Sequence, residues 1–193
     1  DGSLISERNY ISGKLNGICR YVDRHHKLRD DSEYFNGKMH GVRKKWRDDG
    51  SLSSERNYVS GKLNGISRRF DMHNKIQNEC TYVDGLRSGQ MIAYYMNGTT
   101  HAVMNFENGK QHGLWQIFRR DGSKQFESEY FNGKLHGIHK KWHRNDKLQF
   151  EHEYSCGKRH GKCINYDDKG NRISFEQYFR GELQEFDNNG IIV

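Results

Sequence analysis

The sequence predicts an all-β fold: an elongated, twisted antiparallel meander of stacked β-hairpins. Three observations predict it, namely a 24-residue period, glycine and aromatic columns locked to that period, and turn signals at two places in each unit. Stepping by 24 from Gly2 lands on Gly2, His26, Gly50, Asn74, Gly98, Gly122, Asp146 and Gly170. Eight residues after each stop lies an aromatic: Tyr10, Tyr34, Tyr58, Tyr82, Phe106, Tyr130, Tyr154 and Tyr178. Three further on comes Gly13, Gly37, Gly61, Gly85, Gly109, Gly133, Gly157 or Gly181. A second glycine column, Gly17, Gly41, Gly65, Gly89, Gly113, Gly137 and Gly161, breaks only at Glu185. Register of this kind means one supersecondary unit stacked about eight times. Residues 1–193 therefore read as a single array with units starting near 2, 26, 50, 74, 98, 122, 146 and 170, the first and last incomplete. An array that opens inside a turn and stops partway through a unit is expected to be part of a longer protein.

The elements of one unit follow in order. In Gly122 to Trp142, a first segment of about seven residues ends at Tyr130, and Asn132-Gly133 is a hairpin signal because both residues tolerate positive φ. A second segment runs on to Trp142, and turns such as Asp48-Asp49-Gly50 and Arg120-Asp121-Gly122 join one unit to the next. Glycine-rich turns leave no stretch of ten or more residues for a helix. The residues expected to define the repeat are Gly37, Gly41, Gly61, Gly65, Gly133, Gly137, Tyr34, Tyr58, Tyr130, Trp46 and Trp142. Pairing of like parity places Leu52, Tyr58, Ile66 and Phe70 on one apolar face and Glu55, Asn57, Ser67 and Arg69 on a charged one. The sixth unit repeats this with Tyr130, Ile138 and Trp142 against Glu127, Glu129, His139 and Lys141. About sixteen strands at ~4.8 Å span roughly 75 Å.

Composition is compatible with a thin sheet. Only 33% of residues are hydrophobic and 30% are charged, which leans toward disorder, yet the 12% of aromatics occupy fixed columns, unlike a disordered chain. No apolar run approaches the ~20 residues of a membrane helix, and no signal-peptide pattern opens the chain. Cys19, Cys80, Cys156 and Cys163 form no CxxC and no recurring Cys/His pair, which argues against zinc and against a disulfide framework. Reduced thiols in an intracellular compartment such as the cytoplasm are the expectation.

The motif Tyr-x-x-Gly-Lys-x-x-Gly, as in Tyr34 to Gly41 and Tyr130 to Gly137, resembles the MORN repeat. With the lead-in Asp49-Gly50-Ser-Leu52-Ser-Ser-Glu55-Arg-Asn-Tyr58 it is similar to the 24-residue variant found in bacteria and large DNA viruses. That resemblance implies an open sheet of hairpins and roles in scaffolding, assembly or attachment near membranes. The common repeat carries a further glycine where this chain has Cys19, Arg43, Ser67, Met91, Trp115, His139 and Cys163. Near Asp84 to Val103 the period weakens, and a bend or specialised contact is expected there. Asp1 to Gly17 nearly recurs at Asp49 to Gly65, and Glu33 to Trp46 at Glu129 to Trp142, as duplication of unit pairs produces.

Catalytic sets are not found. His40, His112, His136 and His160 share a column with no second ligand column, so a hydrogen bond steadying the loop is the expected role. Glu7, Asp31, Glu55, Glu79, Glu127 and Glu151 read as cross-strand partners for Lys and Arg. The recurring Gly-Lys pairs lack phosphate-loop spacing. The net charge of +7 draws attention to Arg43, Lys44, Lys45, Arg47, Arg68, Arg69, Arg119, Arg120, Lys140 and Lys141, candidates for contact with an anionic partner. The sequence thus points to a non-enzymatic scaffold without cofactor, metal or small-molecule substrate, whose partners are proteins or copies of itself. Anionic lipid is the alternative, nucleic acid is disfavoured, and an accessory array of an enzyme outside these residues is a third reading.

Overall fold

Each unit folds as a hairpin because two glycine-dependent devices recur at fixed places. In the computed structural model, which describes residues 6–185, the chain is all β and its strands follow one another in an antiparallel meander that is not closed into a barrel. The unit start expected near Gly2 and the stretch after Glu185 lie outside the described residues. The chain divides into two compact units, Asp1–Gly98 and Thr99–Val193, and the division falls inside the stretch where the period weakens.

In the first unit, the short strands β1 (Ser6–Glu7), β2 (Tyr10–Ile11) and β3 (Lys14–Leu15) precede β4 (Gly17–Val22). Then come β5 (Leu28–Phe35), β6 (Lys38–Trp46), β7 (Leu52–Val59), β8 (Lys62–Phe70), β9 (Ile76–Val83) and β10 (Leu86–Tyr94). The second unit holds β11 (Thr100–Glu107), β12 (Lys110–Phe118), β13 (Lys124–Phe131), β14 (Lys134–Trp142), β15 (Leu148–Ser155), β16 (Lys158–Tyr166), β17 (Arg172–Phe179) and β18 (Glu182–Leu183).

The tip of each hairpin is a two-residue turn. Ser60 at φ 50° and Gly61 at φ 86° both lie in the left-handed region, the geometry that matches the twist of the flanking strands. The Gly61 N–H donates to the Met39 carbonyl of the preceding hairpin at 2.7 Å, and Gly37, Gly85, Gly133 and Gly157 repeat that bond to Leu15, Leu63, Gln111 and Leu135. Tips are therefore tied to their neighbours. Beyond each tip the register shifts. Tyr58 faces Leu63, but Arg56 faces Ser67, so one residue of β7 opposes three of β8. Gly41, at φ +81°, sits in the equivalent bulge of β6, under the Glu33 side chain. A Cβ at Gly41 would lie 2.9 Å from the Glu33 carboxylate carbon and 3.3 Å from its Cβ, but at Gly17, Gly65, Gly89 and Gly113 it would meet nothing nearer than 3.5 Å, so the positive φ common to all seven glycines explains the second column.

These devices overturn the expected sorting of the faces. A two-residue loop pairs residues of unlike parity, and the bulge preserves that relation: Ser54 faces Arg69, Arg56 faces Ser67 and Glu55 faces Arg68. Ile66 therefore leaves the face it was expected to share with Leu52 and Tyr58, and it stands 41% exposed opposite Thr81. Ser67 and Arg69 take the side of Tyr58 instead, which we call the inner face. In the sixth hairpin His139 and Lys141 likewise lie opposite Ser128 and Phe126 rather than beside Glu127, and Ile138 joins the charged side. Both faces are mixed. Among the described residues the buried apolar side chains are Cys80, Ala102, Phe106 and Cys163, accompanied by the buried small polar groups Ser32, Ser54 and Ser128.

Candidate interaction surfaces

The inner and outer faces and the hairpin tips each gather a different chemistry. On the outer face of the first unit, one residue per strand forms an alternating row: Glu7, Arg20, Asp31, Lys44, Glu55, Arg68 and Glu79, each directly opposite the next. Arg68 lies 3.5 Å from Glu55 and 3.1 Å from Glu79, and Lys44 lies 3.6 Å from Glu55. In the second unit Gln116 donates to Glu127 at 2.8 Å and Lys140 meets Glu151 at 3.0 Å. Exposed pairs of this kind are each worth ~0–1 kcal/mol. The row keeps its carboxylates and cations matched, as the periodic acids led one to expect.

The basic residues singled out from the sequence are not brought together. Arg43 turns inward and forms an ion pair with Asp30 at 2.6 Å, and Lys45 approaches the same carboxylate at 3.9 Å. Lys44, between them, belongs to the outer row. Arg47 sits in the turn after β6 and acts as a clamp. Its guanidinium donates to the carbonyls of Leu52 at 2.9 Å and Asp71 at 3.0 Å, to that of Phe70, and to the Ser51 hydroxyl at 3.1 Å. Arg119 repeats the clamp on Lys124, Trp142 and His143, and Arg120 is exposed in the following turn. Arg68 is held in the outer row, whereas its neighbour Arg69 lies inward opposite Ser54 and Asn78. Lys141 places its ammonium 5.4 Å from the centre of the Phe126 ring.

In the column occupied by Arg47, other hairpins carry Asp23, Asp71 and Asp167, whose carboxylates cap the turn. The Lys27 N–H above all, against the opposing effect of burial and aided by the His25 N–H and Arg29, holds the Asp23 carboxyl down to about 2. The loop histidines divide. His136 and His160 accept from the N–H groups of Cys156 and Arg180 at 3.4 Å, His112 lies 3.2 Å from Glu107, and the buried Nδ1 of His40 has no hydrogen-bond partner among the described residues. Among the described residues no group of three or more His, Cys, Asp or Glu side chains could hold a metal ion, and all four cysteines are free.

The tips carry a row that periodicity concealed. The residue after each column aromatic points away from the inner face, and in the first unit it is Ile11, Phe35, Val59 or Val83, exposed by 62, 62, 46 and 50%. Phe131 and Phe179 occupy the same position in the second unit and are also exposed. Exposed lysines, Lys14, Lys38 and Lys62, lie between these tips, their stems against the turn glycines of the next hairpin. The signal was legible as a further column nine residues after each unit start, apolar in six of eight.

Tips, bulges and faces together define a repeat protein built from β-hairpins that offers extended surfaces. The MORN repeat variant matches residues 39–60 and 135–155, and the chain is a MORN-repeat protein. Such repeats are generally protein- or membrane-interaction repeats. Similar solved structures include TarM, at 14% identity and a TM-score of 0.31 over 68% of this chain and 20% of that one. A mutant TarM from S. aureus in complex with Fondaparinux, alpha-GlcNAc-glycerol and UDP gives 14% identity and a TM-score of 0.30, over 68% of this chain and 21% of that one. The chain thus spans about a fifth of their length, and a likeness this low carries neither fold nor function across. No match is found among curated proteins. Among the described residues no helix is long and apolar enough to cross a membrane.

Proposed function

We propose that this protein is a non-catalytic scaffold that mediates protein–protein interaction or assembly through its hairpin tips. The observation that carries the reading is the row Ile11, Phe35, Val59 and Val83, large apolar side chains 46% or more exposed at one position per hairpin. Two strands at ~4.8 Å set consecutive members roughly 10 Å apart, so a partner meets a regular ladder of contacts. A recurrent exposed apolar row is costly to leave in water, and it marks a contact surface. The cations that looked like a binding patch are occupied by structure to a large extent, as clamps or as members of the outer row. An intracellular location, in cytoplasm or a viral assembly, belongs to this reading and is supported by the four free cysteines.

A second reading is favoured by one specific observation: Lys14, Lys38 and Lys62 share the tip edge with the apolar row. That combination also suits an anionic membrane surface. Sedimentation velocity and liposome flotation on the wild type and on Phe35→Ser/Val59→Ser/Val83→Ser separate the two. The scaffold reading expects concentration-dependent association of the wild type that the triple variant loses, without flotation. A monodisperse, salt-insensitive monomer counts against it, and flotation lost at high salt moves the function to the membrane.

A further inference from the structure

Two clefts on the inner face of the first unit stand 48 residues apart and are lined by equivalent positions. They differ in charge. In the earlier cleft, Arg8, Arg20 and Arg43 are accompanied by the Glu7 and Asp30 carboxylates, and Asp30 holds Arg43 at 2.6 Å. In the later one, of about 220 Å³, Asp30 is replaced by Asn78 and Tyr21 by Arg69, while Arg87 stands where the earlier hairpin has Met39. Arg56 repeats Arg8. Three guanidiniums thus line the later cleft, and no carboxylate does.

Neighbouring acids are already engaged. Glu55 and Glu79 pair with Arg68 on the opposite face, and Asp30 is taken by Arg43. Among the described residues neither Arg56 nor Arg69 forms an ion pair. Arg56 also lies directly opposite Arg43 on the adjoining strand, whose charge Asp30 already balances, so that carboxylate is not available to Arg56. The Arg87 Nε donates to the Tyr82 hydroxyl at 3.4 Å, which orients that guanidinium at the rim. Ser67 and Asn78 add neutral donors to the same lining.

We propose that this cleft binds a phosphate monoester. Guanidinium forks match tetrahedral oxyanions in geometry, each offering paired N–H donors. Charge selects the class: a monoester carries about −1.5 to −2 near neutral pH and answers both Arg56 and Arg69, whereas one carboxylate leaves one of those two unmatched. The volume admits the phosphate and a few atoms of whatever carries it. Position relative to the tips makes the site independent of the scaffold reading, and neither proposal rests on the other.

Calorimetric titration with phenyl phosphate and with O-phosphoserine tests the inference, alongside flotation with phosphoinositide vesicles. Wild-type protein is expected to bind phenyl phosphate, and Asn78→Asp, which restores the acid of the earlier cleft, to weaken it at least about tenfold. Arg69→Gln, at an exposed side chain whose loss leaves the fold intact, is expected to do the same. Lys44→Gln removes an equal charge from the outer face and leaves binding unchanged. Circular dichroism confirms that each variant is folded. Vesicle binding weakened in parallel by Asn78→Asp supports the site and makes a lipid headgroup the source; phenyl phosphate binding without vesicle binding supports it with a soluble source. No binding at millimolar phenyl phosphate, phenyl phosphate binding that Asn78→Asp leaves intact, or an equal loss in Lys44→Gln overturns the proposal.

Discussion

Replacing Arg47 by alanine separates structural cations from available ones. The guanidinium reaches three carbonyls, Leu52 in its own turn and Phe70 and Asp71 in the next, so its loss unties consecutive hairpins. Each hydrogen bond to a charged donor is worth ~1.5 kcal/mol or more, but turn carbonyls regain water, so ~1 kcal/mol per bond is the reasonable figure. Arg47→Ala is then expected to cost about 3 kcal/mol. Lys44→Ala, three residues earlier in sequence, removes a half-exposed outer-row ion pair and should cost under about 1 kcal/mol. Urea unfolding measures both, followed by tryptophan fluorescence and by far-UV circular dichroism. Coincidence of the two probes establishes that one transition is being compared, which repeat arrays do not guarantee. Equal shifts for the two variants would refute the assignment of Arg47 as a clamp.

Further outcomes follow from the same geometry. Gly137→Ala and Gly122→Ala both place a side chain at positive φ, costing ~1–2 kcal/mol. Only at Gly137 does the new Cβ meet Glu129, 3.0 Å from its Cδ and 3.2 Å from its Cβ, adding ~1 kcal/mol or more that Glu129→Ala should relieve in the double variant by urea unfolding. Burial first, and for His139 the nearby His152, push both imidazoles below the ordinary histidine range. Their contribution is complete above about pH 6.5 and is lost as pH falls through the lower folded values, because the unfolded chain takes up protons the folded pair refuses. Unfolding midpoints measured across that range should fall in the wild type and flatten in His139→Gln/His152→Gln. Asp23, held at about 2, adds a second loss that begins below about pH 3.9 and is complete only below its folded value; Asp23→Asn should remove it from an acid-unfolding curve. Glu55→Lys sets three cations side by side with Lys44 and Arg68, and its cost of about 1–2 kcal/mol should shrink in high salt when unfolding is repeated there.

Much of the fold was legible because the repeat averages over its own noise. The aromatic column and the turn glycines each mark one conformational requirement, so columns translate directly into tips and strands. Facial assignment was not legible to the same degree. It depends on the number of residues in the tip loop, and Asn132-Gly133 signals a turn without stating whether partners have like or unlike parity. Two residues in the loop were enough to send Ile66 outward and Arg69 inward. The basic run Arg43 to Arg47 looked like one patch because sequence adjacency ignores pleating. In the sheet Arg43 and Lys45 face one side, Lys44 the other, and Arg47 the turn. The tip row escaped notice because its residues, isoleucine, phenylalanine and valine, look like core in any linear reading.

Oxidative footprinting of the associated protein, read by mass spectrometry, tests the central claim most directly, since it reports which side chains a partner covers. The account predicts that Phe35, Val59, Val83 and Phe131 are protected in the assembled state relative to a dilute monomer, while Ile66 on the outer face keeps its reactivity. Protection of Ile66 and its outer-face neighbours with the tips left reactive would contradict it.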